Sequence, residues 1–163
     1  MEGSPGSYPD DRRVSTIKAR KEGQYLIANY ANNGPYDALI RIDPKAAELT
    51  SADVFQVPGG QAVCQFEAAS HGKRVVNLTA DGRLRVYDSA PEWKQVVQFD
   101  AVPAFDCASG ARTPTPALTL VGESALVSDP VNKRIREYSL GSLHQGLDLP
   151  VDGLPANLAS GGG

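Results

Sequence analysis

Three stretches of this chain read alike. Tyr25-Leu26-Ile27-Ala28-Asn29 leads to Leu39-Ile40-Arg41-Ile42-Asp43. Arg74-Val75-Val76-Asn77-Leu78 leads to Leu84-Arg85-Val86-Tyr87-Asp88. Ala125-Leu126-Val127-Ser128-Asp129 leads to Ile135-Arg136-Glu137-Tyr138-Ser139. Each is a short apolar strand, a polar turn and an alternating strand. The unit recurs at roughly 45–50 residues. A period of that size, built from strands alone, points to β-propeller blades. Each blade is one four-stranded sheet that hides its faces only against its neighbours.

At 163 residues the chain holds about three such blades. The expected architecture is therefore all-β: a partial propeller of about three four-stranded blades, or one closed by self-association. Residues 1–13 are rich in Gly, Pro, Ser and charge and read as a disordered N-terminal segment. Blades are expected over 14–159, and 160–163 (Ser-Gly-Gly-Gly) read as a flexible tail.

The first unit is read as strands at 14–20, 24–30, 36–43 and 53–57, with 45–49 as a helical turn or a connection. The second is read at 62–68, 74–78, 83–87 and 93–99. Its Asp81-Gly82 suits the tight turn that matches strand twist. The third is read at 117–121, 124–128, 134–138 and 146–149. Leu154 to Ala159 resembles the innermost strand of another blade.

The formal charge of −3 is spread evenly, and no basic stripe marks a nucleic-acid surface. No stretch approaches the ~20 apolar residues that span a bilayer. Met1 to Ser7 has no charged and apolar leader pattern and is not read as a signal peptide. The two cysteines, Cys64 and Cys107, stand at strand starts of neighbouring repeats. Their number permits a disulfide without requiring one, and the plainer reading is two buried thiols.

No cluster identifies a reaction. His71 and His144 lie in turns or connections without metal-ligand spacing. They read as exposed turn histidines, or as parts of a metal site assembled from distant loops. Asp43, Asp88 and Asp129 recur near strand ends and read as turn closers. Ser124, Ser128 and Ser139 have no nucleophile-elbow context. Arg83, Arg85, Arg134 and Arg136 alternate on equivalent strands. They read as a solvated blade edge, or as an electropositive surface for an acidic partner. Trp93 reads as packing between blades.

The segment from Cys64-Gln65-Phe66-Glu67-Ala68 through His71-Gly72 and Asp81-Gly82 to Leu84 resembles the periplasmic zinc metallochaperone propellers encoded beside zinc ABC transporters. In that family a Cys opens the strand, a His-Gly-Glu-Ala run follows, and an Asp-Gly hairpin comes after. Ala125 through Tyr138 to Leu149-Pro150, and then 154–159, resemble the last blade and closing strand of the same family, and also the wider YVTN-type and quinoprotein-like repeat propellers. Here Gln65-Phe66 stand where the family carries His-Gly, and Thr79 stands at its second Cys.

The resemblance implies a non-enzymatic protein in the periplasm or outside the cell. It implies zinc as cargo and the solute-binding protein of a metal transporter as partner. Glu67, His71 and His144 are then the candidate ligands, with carboxylate or solvent completing the set. Two rival readings are a metal-free interaction scaffold and a propeller hydrolase or lactonase.

Overall fold

The computed structural model describes residues 13–19, 26–31, 37–43, 45–48, 50–57, 63–69, 73–106, 114–155 and 158. It contains three four-stranded sheets, each antiparallel throughout. Blade 1 is β1 (Arg13–Ala19), β2 (Leu26–Ala31), β3 (Asp37–Ile42) and β4 (Val54–Gln56). Blade 2 is β5 (Val63–Ala69), β6 (Arg74–Thr79), β7 (Arg83–Asp88) and β8 (Lys94–Asp100). Blade 3 is β9 (Leu118–Val121), β10 (Ser124–Asp129), β11 (Arg134–Ser139) and β12 (His144–Pro150). The all-β, three-blade propeller architecture read from the repeat is the one the chain adopts.

Blade 2 stands in the middle, and its burial records that. Val75, Val76, Asn77 and Leu78 along β6 are all fully buried, as expected of an apolar run covered on both faces. Alternate residues serve two separate cores. Val75 and Tyr87 join Leu39, Val57, Val63 and Phe66 in the seam with blade 1, where Phe55 and Trp93 pack against them. Val76, Leu78, Leu84 and Val86 join Leu118, Ala125, Val127 and Tyr138 in the seam with blade 3. Each fully buried Leu or Val contributes about 1.5–3 kcal/mol of transfer free energy, so the seams carry the apolar stabilisation of the fold.

Two turns explain the local geometry. Gly82 has φ +81°, and its N–H donates to the Thr79 carbonyl at 2.8 Å. The Gly82 carbonyl accepts from the N–H groups of Ala101 and Val102, both at 3.0 Å. A Cβ at Gly82 would stand 2.0 Å from the Val102 carbonyl oxygen. Only glycine fits both the left-handed backbone and that close approach. Ahead of β4, a 3-10 turn (Ser51–Asp53) carries a capping box between Thr50 and Asp53.

The described part of 45–49 is turn and bend, so this segment is a connection rather than a helical turn. In 154–159 the described residues, Leu154, Pro155 and Leu158, are outside any strand. Ala156, Asn157 and Ala159 lie outside the described residues, as do 1–12 and 160–163. Among the described residues, no helix is long and apolar enough to cross a membrane.

Candidate functional site

Several polar side chains at the blade edges are fastened to one another and to neighbouring blades. β5 runs beside β9, so the inner edges of blades 2 and 3 meet. There Gln65 Nε2 donates to the Pro116 carbonyl at 3.0 Å, and the Leu118 N–H donates to Gln65 Oε1 at 2.6 Å. Both ends of one amide are used on the neighbouring blade's backbone. Gln65 therefore serves as a clasp between blades.

Thr79 is fully buried. Its hydroxyl donates to Asp81 Oδ1 at 2.5 Å and accepts from the Arg85 guanidinium. Arg85 also pairs with Asp81 at 2.8 Å. Burial pushes the Asp81 carboxyl upward, but hydrogen bonds from Arg85 and Thr79, the Arg85 charge and the Arg83 N–H outweigh it. The carboxyl is held below its ordinary range. The hairpin is thus closed by a small ionic network.

Of the alternating arginines, Arg85 and Arg136 take the same kind of role, and this corrects the reading of those two as a solvated edge, while Arg83 and Arg134 fit it. Arg85 is 5% exposed. Arg136 pairs with the buried Asp129 at 3.0 Å and donates to the Ala101 carbonyl of blade 2. Arg74 pairs with Asp88 and donates to the Leu140 carbonyl of blade 3. Arg41 pairs with Asp53 and donates to the Ser89 carbonyl of blade 2. Arg136, Arg74 and Arg41 are each charge-compensated on their own blade and reach a backbone acceptor on a neighbouring one, whereas Arg85 stays within its hairpin. Arg83 and Arg134 make exposed pairs with Asp100 and Asp148.

Two of the three turn aspartates, Asp43 and Asp129, behave as read, whereas Asp88 pairs with the Arg74 side chain across the strands instead of closing a turn. Asp43 accepts from the Lys45 N–H, and Asp129 accepts from the Asn132 N–H and side chain. Trp93 packs between blades: its ring stacks on Phe55 at 5.4 Å, and its Nε1 donates to the Asp53 carbonyl at 3.2 Å. Burial pushes the Tyr87 and Tyr138 hydroxyls up to about 12, so both stay protonated within their seams. Ser128 Oγ accepts from the Ala117 N–H, and Ser124 Oγ donates to Glu137; neither is placed as a nucleophile.

Glu67 is half-buried on β5, the inner strand of blade 2. His144 is exposed at the start of β12, the outer strand of blade 3. The two do not converge, since β5 lies beside β9 at the opposite edge of that sheet. His71 and Cys107 lie outside the described residues. Cys64 is disulfide-bonded, which removes it as a thiolate ligand. Among the described residues, no group of three or more His, Cys, Asp or Glu is placed to hold a metal ion.

The clasps between blades have no local mark in the sequence, although the Asp81–Arg85 pair within the hairpin does. Arg85 stands four residues after Asp81, which was a usable signal. Asp129 and Arg136 lie on paired strands and needed the register.

No protein-family model matches the chain, and no curated protein does. Solved structures do. Apo AztD from Citrobacter koseri is similar at TM-score 0.67 and 19% identity, over 96% of this chain and 41% of that one. A putative 6-phosphogluconolactonase from Bacteroides fragilis is similar at 0.57 and 18%, over 93% and 47%. The Cps50 (Swd1) β-propeller domain from Myceliophteria thermophila is similar at 0.52 and 16%, over 82% and 39%. The chain spans about two fifths of the AztD chain it matches. At these identities the likeness is one of fold: this chain is a three-blade arc of β-propeller.

Proposed function

We propose that the chain is a non-enzymatic, extracytoplasmic propeller of the metal-chaperone kind, handling zinc as exchangeable cargo for the solute-binding protein of a transporter. The observation that carries this reading is a coincidence. The segment Cys64 to Leu84 resembles zinc metallochaperone propellers in sequence, and the arc matches AztD in fold across 96% of its length. The disulfide at Cys64 supports an oxidising compartment. We propose Cys107, the other cysteine of the sequence, as its partner; a thiol count under denaturing conditions tests the pairing. The likeness to the lactonase is one of fold and supplies no reaction.

Glu67 and His71 are proposed as zinc contacts, and His144, on the outer strand of blade 3, as a separate one. With thiolate excluded at Cys64, the donors are N and O. Such a site binds weakly and exchanges readily, which suits transfer. Calorimetric titration with zinc in a non-competing buffer should give near-stoichiometric heat that falls when His71 and His144 are both replaced by alanine. A flat wild-type trace, or heat indifferent to the double replacement, overturns the reading.

A second reading, a metal-free interaction scaffold, is favoured by one feature. Val121, Leu147 and Leu149 on blade 3 are about half exposed and share one concavity. Partner binding that survives a chelator would support this reading over the first.

A further inference from the structure

Blade 3 exposes the same face that blade 2 buries. The strand pairs align residue for residue. Leu84 opposite Phe99 corresponds to Ile135 opposite Leu149. Arg85 opposite Gln98 corresponds to Arg136 opposite Asp148, and Tyr87 opposite Gln95 to Tyr138 opposite Gln145. Both outer pairings shift register at that same point. In blade 2 this face is sealed: Leu84 and Val86 are fully buried, with Val97 and Phe99 packed in the same core, under the Ala125, Val127 and Tyr138 side of blade 3.

In blade 3 the corresponding residues line an open concavity of about 280 Å³, with Leu126, Ile135, Leu147 and Leu149 around Glu137. Leu147 and Leu149 are 59% and 48% exposed. The Glu137 carboxylate is already engaged, accepting from the Ser124 hydroxyl at 2.6 Å and from the Leu147 N–H at 3.4 Å. What remains is aliphatic. A face of this register and composition is one half of an interblade seam, and the piece that fits it is another blade.

The opposite end of the arc offers the other half. In blade 1, Leu39 is buried against blade 2, and Arg41 reaches the Ser89 carbonyl of blade 2. Strand alternation puts Ile40 and Ile42 on the outward face. Ile42 takes the place that Tyr87 and Tyr138 hold on the matching faces of blades 2 and 3, and it is only half-buried. We infer that blade 3 of one copy seats on blade 1 of a second copy, head to tail. A heterologous contact of this kind closes when the rotation allows. Two arcs of three sheets fall within the four to eight blades over which propellers close. This inference is independent of zinc.

The test is mass in solution by sedimentation and light scattering, on the full chain and two variants. Leu147→Lys with Leu149→Lys charges the blade 3 face at exposed positions. Ile42→Lys charges the blade 1 face. The wild-type chain is expected to be a dimer, each variant alone a monomer, and the two variants mixed a dimer through the one seam still intact. Far-UV circular dichroism checks that the variants fold. A monomeric wild-type chain overturns the inference and leaves the face to a different partner. A dimer untouched by the blade 3 variant overturns it. So does a dimer that survives Ile42→Lys, which would mean blade 3 pairs with blade 3. Should one variant fail to fold, the wild-type mass and the other variant still decide.

Discussion

Gln65 and Leu118 are joined across two blades: the Leu118 N–H donates to Gln65 Oε1 at 2.6 Å, while the same amide's nitrogen holds the Pro116 carbonyl. Leu118 is nearly fully buried, so its N–H has no ready exchange to water. Gln65→Met keeps the length of the side chain and removes both bonds. We expect a loss of about 2 kcal/mol, since a buried donor left unpaired costs about 1–3 kcal/mol. A urea titration followed by far-UV circular dichroism measures it. An unchanged midpoint would show that the clasp contributes nothing.

Asp129 is the buried anchor of blade 3, with its side chain 1% exposed beside the Arg136 guanidinium. It also closes the turn through Asn132. Asp129→Ala removes the nearer of the two carboxylates at the Arg136 guanidinium and frees the turn. Breaking one partner of a buried pair typically costs about 3–5 kcal/mol. Arg136 retains Asp148 at 3.6 Å and the Ala101 carbonyl, so the lower end of that range is expected. Arg136→Met combined with Asp129→Ala should recover part of the loss, measurable as a higher urea midpoint than that of the single variant.

The hairpin network gives a pH signature. The Asp81 carboxyl is held below its usual value of 3.8 in the folded chain. A carboxyl depressed on folding stabilises above its unfolded pKa, and that stability is lost as pH falls through the folded value. Asp81→Asn should therefore lower the urea midpoint at neutral pH. The gap to the wild-type chain should begin to close below pH 3.8. Asp53, Asp148 and Glu137 are also held below the ordinary carboxylate range, but they titrate alike in both proteins. A gap that stays constant from neutral pH to strongly acid pH would count against the network.

The blade strands were legible because their alternation survives in the residues that face a neighbour. The strand read at 93–99 is found at Lys94–Asp100, and the hairpin at Asp81-Gly82 forms as its residues require. β12 was read short, at 146–149, and runs from His144 to Pro150. All seven of its residues are exposed, so burial left no pattern in them. The site was harder to read. Whether Arg136 faces solvent or Asp129 depends on a pairing between strands, and whether Leu147 is covered depends on a sheet that the repeat cannot supply. Sequence periodicity marks an apolar face without saying what lies on it.

Trp93 reports on the seam between blades 1 and 2. It is the only tryptophan in the chain, and its ring stacks on Phe55, which itself meets Tyr87 at 4.8 Å. Phe55 belongs to β4 and Trp93 precedes β8, so their contact exists only while the two sheets are docked. Stacked sheets behave as neighbours coupled through their interfaces, and each seam can fail separately. Phe55→Ala removes the stacking partner and opens a gap beside Tyr87, at a cost of about 3 kcal/mol. That loss falls on one seam, and the core shared by blades 2 and 3 is untouched. Trp93 fluorescence should therefore report unfolding at lower urea than far-UV circular dichroism in this variant, and its emission should lie further to the red before the transition. Coincident transitions by both probes would show that the three blades unfold as one unit, and the seams could not then be treated as separable.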